Sequence, residues 1–458
     1  MEDTAQTQVS TISRRIKIIS IIILSCTYVV TGSVYAVIAP FFPTLAEERN
    51  VTNFEIGIIF AVYPLVKLIV SPIIGAFLPH IGVKYALWAG MMIDGGCTMA
   101  FGFLPEILDH NTFVAFCIVV RGIEGMGAAA YQTAGFSFAS AVFKDSVATT
   151  LGFLEIATSL GFMAGPPVGG LLYKAGGFRL PFIVLASLMI VAGICIAYFL
   201  PSVSHESKIS TTGLMKRLIT LPRVLIICIG VALHITSFSY LDPTLSIHIE
   251  PFKLSHPQVG LIFLIIPAAY GLCAPVVGYV SDRIGFRIFI VLGNAILGVS
   301  LLFLGPAPFI PVKLTLTQTI LSNIGMGAGV AVALIPSYPD VLEAAKSSRY
   351  CRGREDFATN SVTSGLYSAF ISLGQIIGPI VGGTFTSASD VDFDWISTII
   401  GFIAFGQMGL VILLTIVEKM VDSEVPSSEF GSGKTINGIK ADKNLYNTKP
   451  NESSPLLT

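Results

Sequence analysis

The chain of 458 residues is 53% apolar and 12% charged, with a mean hydropathy of +0.78, a balance far outside soluble composition and in the range of polytopic membrane proteins. A formal net charge of −1 leaves no acidic or basic bias that would suit a nucleic acid, and no large soluble domain is expected. The seven cysteines are scattered singly without a CxxC pair, which argues against a disulfide framework or a metal site.

An apolar helix of about 20 residues crosses a bilayer. Runs of that length recur at 16–42, 54–79, 84–104, 112–141, 147–173, 179–200, 223–249, 257–280, 286–306, 313–337, 359–387 and 395–417. Their length, without period-two alternation, excludes a membrane barrel. The expected class is an all-α membrane protein of twelve transmembrane helices in two pseudo-symmetric six-helix bundles.

Residues 1–15 precede the first run and end in Arg14 and Arg15. That run is too long for a signal-peptide core and has no small-residue cleavage site after it, so it is expected to remain as span one. Asn50-Val-Thr52, between spans one and two, is a glycosylation sequon in a short loop. Span two carries Gly57, Phe60, Pro64 and Pro72 and closes on Gly75, Pro79, Gly82 and Lys84.

Span four contains Arg121-Gly-Ile-Glu124-Gly125-Met-Gly127. Arg121 and Glu124 are three apart and share a helix face. An arginine inside the bilayer needs a partner or a cavity, and Glu124 is the expected partner. A movement that alters their contact changes the proton affinity of the carboxyl, which could load and release a proton. In span five, Glu155 is followed by Gly161, Gly165, Pro166, Gly169 and Gly170. Small residues at four-residue spacing let helices approach closely, and an internal Pro permits a bend.

Residues 201–222 mix Ser, Thr, His, Lys and Arg and divide the chain into a 16–200 bundle and a 223–417 bundle. In span seven Asp242 precedes Pro243, where a broken helix can turn polar atoms toward a cavity. The elements of the first half then return. Gly57, Phe60, Pro64, Pro72, Gly75 and Gly82 recur 203 positions later (75 to 278) as Gly260, Phe263, Pro267, Pro275, Gly278 and Gly285, now with Asp282, Arg283 and Arg287. The span-five glycines and proline recur 213 positions later (161 to 374) as Gly374, Gly378, Pro379, Gly382 and Gly383 in span eleven. The 418–458 tail is too polar to fold alone and is expected to be disordered.

Lys67, Asp94, Glu155, His234 and Asp242 are further ionisable groups inside spans and are functional candidates by default. Acids at Glu124, Glu155 and Asp242, with Tyr240 beside the last, suit a cation with more than one amine. Lys67 would repel such a cation unless Asp94 or Glu155 neutralises it. A lone helical His234 reads more simply as a hydrogen-bonded packing residue. Arg14, Arg15, Lys17, Lys84, Lys144, Lys216, Arg217, Arg223, Arg283 and Arg287 fall on one side of the spans; Glu47, Glu48, Glu106, Asp109 and Glu250 fall on the other, with the basic residues Arg49, Lys174, Arg179, Lys253 and Lys313. Both termini are therefore expected to be cytosolic.

Gly278-Tyr-Val-Ser-Asp282-Arg283-Ile-Gly285-Phe-Arg287 resembles the loop signature of the major facilitator superfamily. The paired glycine and proline elements resemble its antiporter motif, and Arg121 to Gly127 its proton-antiporter motif. In the first loop copy Pro79 stands where the family usually has Asp, so only its glycines and Lys84 match. Tyr240-Leu-Asp242-Pro243-Thr-Leu245, and Leu151-Gly-Phe-Leu-Glu155 with Gly165-Pro166-Pro167-Val-Gly169-Gly170, resemble the vesicular amine transporter (solute carrier 18) family and its polyamine branch. Span one has no acid, and the lysine of the monoamine-type members aligns with Pro64, which disfavours a monoamine or acetylcholine cargo.

The resemblance implies a proton-driven antiporter that moves polyamines such as spermidine and spermine from the cytosol into acidic vesicles by alternating access. It implies no cofactor beyond the proton gradient, and partners limited to a small cationic amine, protons and the lipid bilayer. Substrate contacts fall to Asp242, Glu155, Glu124 and Tyr240, and proton coupling to Glu124 and Arg121. Gating falls to Gly278, Asp282, Arg283, Gly285, Arg287, Gly75, Gly82, Lys84, Gly165, Pro166, Gly378 and Pro379, with an ion pair at Asp282 serving as the cytosolic latch. Glu452-x-x-x-Leu456-Leu457 fits an acidic dileucine signal for a sorting adaptor, hence residence in secretory, endosomal or lysosomal vesicles. A broader monoamine or drug/proton antiporter and a non-transporting ligand sensor are the alternatives. No nucleophile–base cluster or phosphate loop is present in the sequence, so an enzyme is not expected.

Overall fold

The structure, a computed structural model, describes residues 13–202, 212–254, 256–307, 309–311, 314–348, 356–388 and 393–424. Among the described residues there is no strand, and twelve helical segments are long and apolar enough to cross a membrane. Spans one to six are Arg14–Glu48, Asn53–Ile81, Val83–Phe101, His110–Val142, Val147–Gly176 and Arg179–Phe199. Spans eight, nine, eleven and twelve are His256–Ile284, Phe286–Leu304, Asp356–Ala388 and Phe393–Glu424. Spans seven and ten are each broken, into Pro222–Ser239 and Leu241–His248, and into Leu316–Leu334 and Ser337–Ser347. Each break places a proline in the first turn of the second piece, Pro243 and Pro339, where the missing N–H has no intrahelical partner to lose.

Local chemistry sets the helix ends. Thr52 caps span two reciprocally with Glu55, and Asp109 accepts the Thr112 N–H at 2.9 Å to open span four. Spans two and three, and spans eight and nine, are separated by one residue each. Those residues are Gly82 and Gly285, with φ of +86° and +114°, a backbone region that costs glycine little and other residues much. The two loop copies keep glycine there for that reason.

Within the first half, span one packs on spans five and six, and span four on two and three. Within the second, span seven packs on eleven and span ten on eight and nine. The repeated glycines are the seams. A Cβ at Gly165 would lie 2.7 Å from the Ser33 carbonyl oxygen of span one, and one at Gly374 or Gly382 would lie 2.5 Å from the Ala232 or Tyr240 carbonyl oxygen of span seven. Gly170 has nothing within 4 Å, so the motif is not uniformly a packing device.

The halves meet where span five crosses eight and span two crosses eleven. At the end that bears residues 201–222, the linker end, a Cβ at Gly75 would lie 2.7 Å from the Ser361 carbonyl oxygen, and one at Gly152 would lie 2.5 Å from that of Ala274. Gly278 meets the Ala148 carbonyl in the same way. At the opposite ends of spans two and eight, Gly57 and Gly260 have nothing within 4 Å. The halves are thus pressed together at the linker end.

The 201–222 segment, expected as a plain linker, carries a helix at Thr212–Leu218. Its Leu214 and Leu218 are buried with Val224, Ile227, Val341 and Leu366, which gives this stretch an apolar anchor that its polar composition conceals. Contacts divide the chain into Met1–Thr415 and Ile416–Thr458. Of the second unit, the structure describes the helix end to Glu424. Glu452, Leu456 and Leu457 lie outside the described residues.

Gly165→Ala should lower stability by about 1–3 kcal/mol, the usual cost of overpacking, while Gly170→Ala should leave it unchanged or slightly raised. Thermal unfolding of the purified variants checks the contrast; equal melting temperatures would remove the seam from the account.

Candidate functional site

A cavity of about 150 Å³ lies between the halves. The first half contributes Tyr28, Tyr35, Tyr63, Lys67, Tyr131, Gln132 and Glu155, and the second contributes Phe238, Tyr270, Ile371 and Gln375, among others. Its polar contacts bridge the halves. Lys67 Nζ donates to Gln375 Oε1 at 3.4 Å, and the Tyr270 hydroxyl interacts with the Glu155 carboxylate. In each, a charged group of the first half meets a neutral one of the second. Lys67 also interacts electrostatically with both Glu155 and Asp94, the two neutralising partners expected of it.

Behind the cavity wall sits a buried charge cluster. Arg121 Nη1 donates to Glu124 Oε2 at 2.8 Å, with both side chains under 5% exposed. The guanidinium lies 4.5 Å over the Tyr63 ring, and Tyr63 also lines the cavity. Glycines create this contact. A Cβ at Gly125 would lie 2.6 Å from the Tyr63 carbonyl oxygen of span two, and one at Gly127 would lie 2.9 Å from the Asp94 nitrogen of span three. Span four can therefore press its charged face against spans two and three, bringing Asp94, buried at 3% exposure, into the field of Arg121 and Glu124. Asp94 was a functional candidate as an ionisable group inside a span, but its place beside Arg121 and Glu124 had no signal in the sequence.

At the linker end the expected ion pair at Asp282 is corrected. Asp282 accepts the N–H groups of Ala148 at 3.2 Å and Thr149 at 2.8 Å, and the Thr149 hydroxyl at 2.6 Å. Ser146, at the N-cap of span five, makes no side-chain cap. The carboxylate of span eight supplies it from the other half, where the helix dipole favours negative charge. Arg283 lies 3.9 Å over the ring of Tyr279, and Arg287 approaches Asp340 at 3.5 Å, alongside Arg223 at 2.7 Å. These basic groups brace the second half.

A second closure layer had no distinctive sequence signal. Phe136, Tyr338 and Tyr367 pack mutually, tilted or edge to face, with centroids 5.2–5.3 Å apart, and the Tyr338 hydroxyl donates to the Phe136 carbonyl at 3.3 Å. Ser137 and Ser361 meet at 3.2 Å across the halves.

Of the four expected substrate residues, Glu155 alone is among the cavity-lining residues. Tyr240 is corrected to a packing role. It is fully buried, its hydroxyl is 3.0 Å from Ser397 Oγ, and its ring stacks with Phe393, because the break in span seven turns it toward span twelve. Glu124 is in the buried cluster. Asp242 is exposed and interacts electrostatically with the Tyr35 hydroxyl. His234 is buried with Nε2 3.2 Å from Asn294 Oδ1, as a packing histidine would be. Asn50 is exposed in the loop after span one, with φ of +54°. At the end of span seven, His248 Nε2 lies 3.0 Å from the Leu304 carbonyl oxygen. Gly82 and Lys84 border a separate cavity of about 280 Å³ at the linker end. It has no acidic lining residue.

Residues 24–226 and 227–448 match the family model described as Major Facilitator Superfamily. MFS-type transporter SLC18B1 of Mus musculus is 36% identical over 371 residues, covering 80% of this chain and 79% of that protein. The synaptic vesicular amine transporter of Homo sapiens is 28% identical over 370 residues, covering 78% and 66%. The chain belongs to the major facilitator superfamily, in its vesicular amine transporter family. The crystal structure of the human organic anion transporter MFSD10 (TETRAN) superposes with a TM-score of 0.69 at 15% identity, covering 85% of this chain and 98% of that one. That likeness concerns the fold alone: two six-helix bundles.

Asp282→Ala removes a cap worth about 1–2 kcal/mol, which should shift the closed linker end toward opening by about 5–30-fold. A cysteine at Val277, 7% exposed in the native chain, reports this in a cysteine-less background. Its labelling by an impermeant maleimide should accelerate in the Asp282 variant; an unchanged rate contradicts the latch.

Proposed function

We propose that the protein is a proton-coupled antiporter that loads organic polycations, such as spermidine and spermine, from the cytosol into acidic vesicles by alternating access. The observation that carries this reading is the cavity between the halves, where Glu155 and Lys67 face neutral hydrogen-bonding groups, with the Arg121–Glu124 pair directly behind Tyr63. Acids at several depths suit a cation with amines at both ends, and the tyrosine lining offers cation–π faces between them.

The linker end is taken as cytosolic, following the basic residues gathered there. The pressed-together linker end then corresponds to the state that discharges into the vesicle. Protons from the acidic lumen neutralise carboxylates and weaken their hold on the amine. After the halves rock, neutral cytosol withdraws those protons and the freed carboxylates bind the next amine. Gly75, Gly278, Gly165 and Gly378 lie on the seams along which helices slide, with Pro166 and Pro379 next to the last two. Asp282, Arg283, Gly285, Arg287, Gly82 and Lys84 sit at the mouth.

In this reading the partners are a small cationic amine, protons, the bilayer and a sorting adaptor at Glu452, Leu456 and Leu457. No cofactor is used. Asn50 faces the lumen, and both termini the cytosol. The aromatic lining favours, as second reading, a broader antiporter of aromatic monoamines and drugs.

Uptake of spermidine, spermine, serotonin and acetylcholine into proteoliposomes under an imposed pH gradient ranks the substrates directly. The two polyamines should lead, and serotonin in first place would favour the second reading. Asp242→Asn and Glu124→Gln should each lower gradient-driven uptake by about tenfold or more, since a hydrogen bond to a charged group is worth about 1.5–3 kcal/mol. Unchanged transport in both variants would remove the assignment.

A further inference from the structure

Asp94 has no role in the reading above, yet its surroundings are unusual. It is 3% exposed, in the middle of span three, and among the described residues its Oδ1 has no hydrogen-bond partner. The groups that face it are Lys67 and Tyr63 from span two, Arg121, Glu124 and Tyr131 from span four, and Cys97 from its own helix. Span six packs Ala186, Met189 and Ile190 against the adjacent Gly95, none of them charged.

An ionised carboxylate oxygen buried without a donor is costly. Arg121 makes no bond to it: its Nη1 is bonded to Glu124 and its guanidinium is stacked on Tyr63, while its Nε has no hydrogen-bond partner among the described residues. The remaining cation is Lys67, which interacts with Asp94 and also with Glu155 on the cavity side. Among the described residues its Nζ donates one hydrogen bond, to a neutral amide, Gln375 Oε1, at the long distance of 3.4 Å, and lies 6.0 Å from the centroid of the Tyr63 ring. A flexible ammonium held weakly between two carboxyl groups can serve either one, but not both fully.

Resting on the antiport reading, we infer that Lys67 is a movable counter-ion that couples a proton site at Asp94 to the amine site at Glu155. With the cavity empty, Lys67 neutralises Glu155 and Asp94 carries a proton. An incoming substrate ammonium takes the place of Lys67 at Glu155. Lys67 turns to Asp94, whose proton leaves to the open side. The charges balance: one ammonium enters, one proton departs, and Lys67 stays protonated throughout. Discharge is the reverse, with a lumenal proton returning to Asp94 and Lys67 displacing the amine. The lysine, out of place in a cation site, thereby becomes the element that makes binding of proton and amine mutually exclusive.

The test compares wild type, Asp94→Asn and Asp94→Glu in proteoliposomes, using labelled spermidine. Asp94→Asn should lose gradient-driven accumulation by about tenfold or more while retaining gradient-free exchange, and that exchange should lose its pH dependence. Asp94→Glu should restore accumulation. Infrared difference spectra add a readout independent of transport. A protonated carboxylic-acid band in the wild type should vanish on adding spermidine and shift in Asp94→Glu. Accumulation by Asp94→Asn at the wild-type level overturns the inference, as does the absence of any spermidine-sensitive acid band. If wild type itself accumulates no amine under the gradient, the antiport reading fails instead, so the two failures are distinguishable.

Discussion

A charge inside hydrocarbon is tolerated only when a partner or water meets it, and Lys67, Asp94, Arg121, Glu124, Glu155 and Asp242 are such groups within these spans. Two cations and two acids are gathered where spans two, three and four touch, and the rest face space between the helices. Removing one partner of a buried pair costs about 3–5 kcal/mol, because it strands the other. The glycines of span four follow from this demand. Without the close approach at Gly125 and Gly127, Arg121 and Glu124 would face lipid-like surroundings instead of Tyr63 and Asp94.

The two halves repeat in topology but divide the chemistry. The first half holds nearly all the intramembrane charge. The second answers with neutral groups, Tyr270 and Gln375 in the cavity and the His234–Asn294 pair in its core. At the linker end the direction reverses: Asp282 of the second half caps span five of the first, while the matching position in the first half is Pro79. A carboxylate on a helix end is a contact that can form and dissolve as a unit, with no cation that must be re-solvated. That suits a closure that must break in every cycle better than a buried ion pair does.

The twelve runs and the 203-position and 213-position repeats were readable in the sequence, because length and hydropathy are local properties; the junctions at Gly82 and Gly285 are tighter than the runs implied, one glycine each. The Arg121–Glu124 contact was readable for the same reason, being one turn of one helix. What escaped depends on helix packing. Asp94 joins the cluster through glycines on a neighbouring span, and Gln375 reaches Lys67 across 308 positions of chain. Tyr240 was misplaced because adjacency to Asp242 in sequence does not survive the break in span seven. The partners of Asp282 are backbone N–H groups, which no residue type advertises.

The central claim is that protons and amine compete for the same small set of carboxylates. It is tested most directly by adding spermidine to the purified protein in weakly buffered solution and following the pH with an indicator. The account predicts acidification that saturates together with binding and disappears at low pH, where the carboxylates are already occupied. Saturable binding with no proton release at any pH would contradict it.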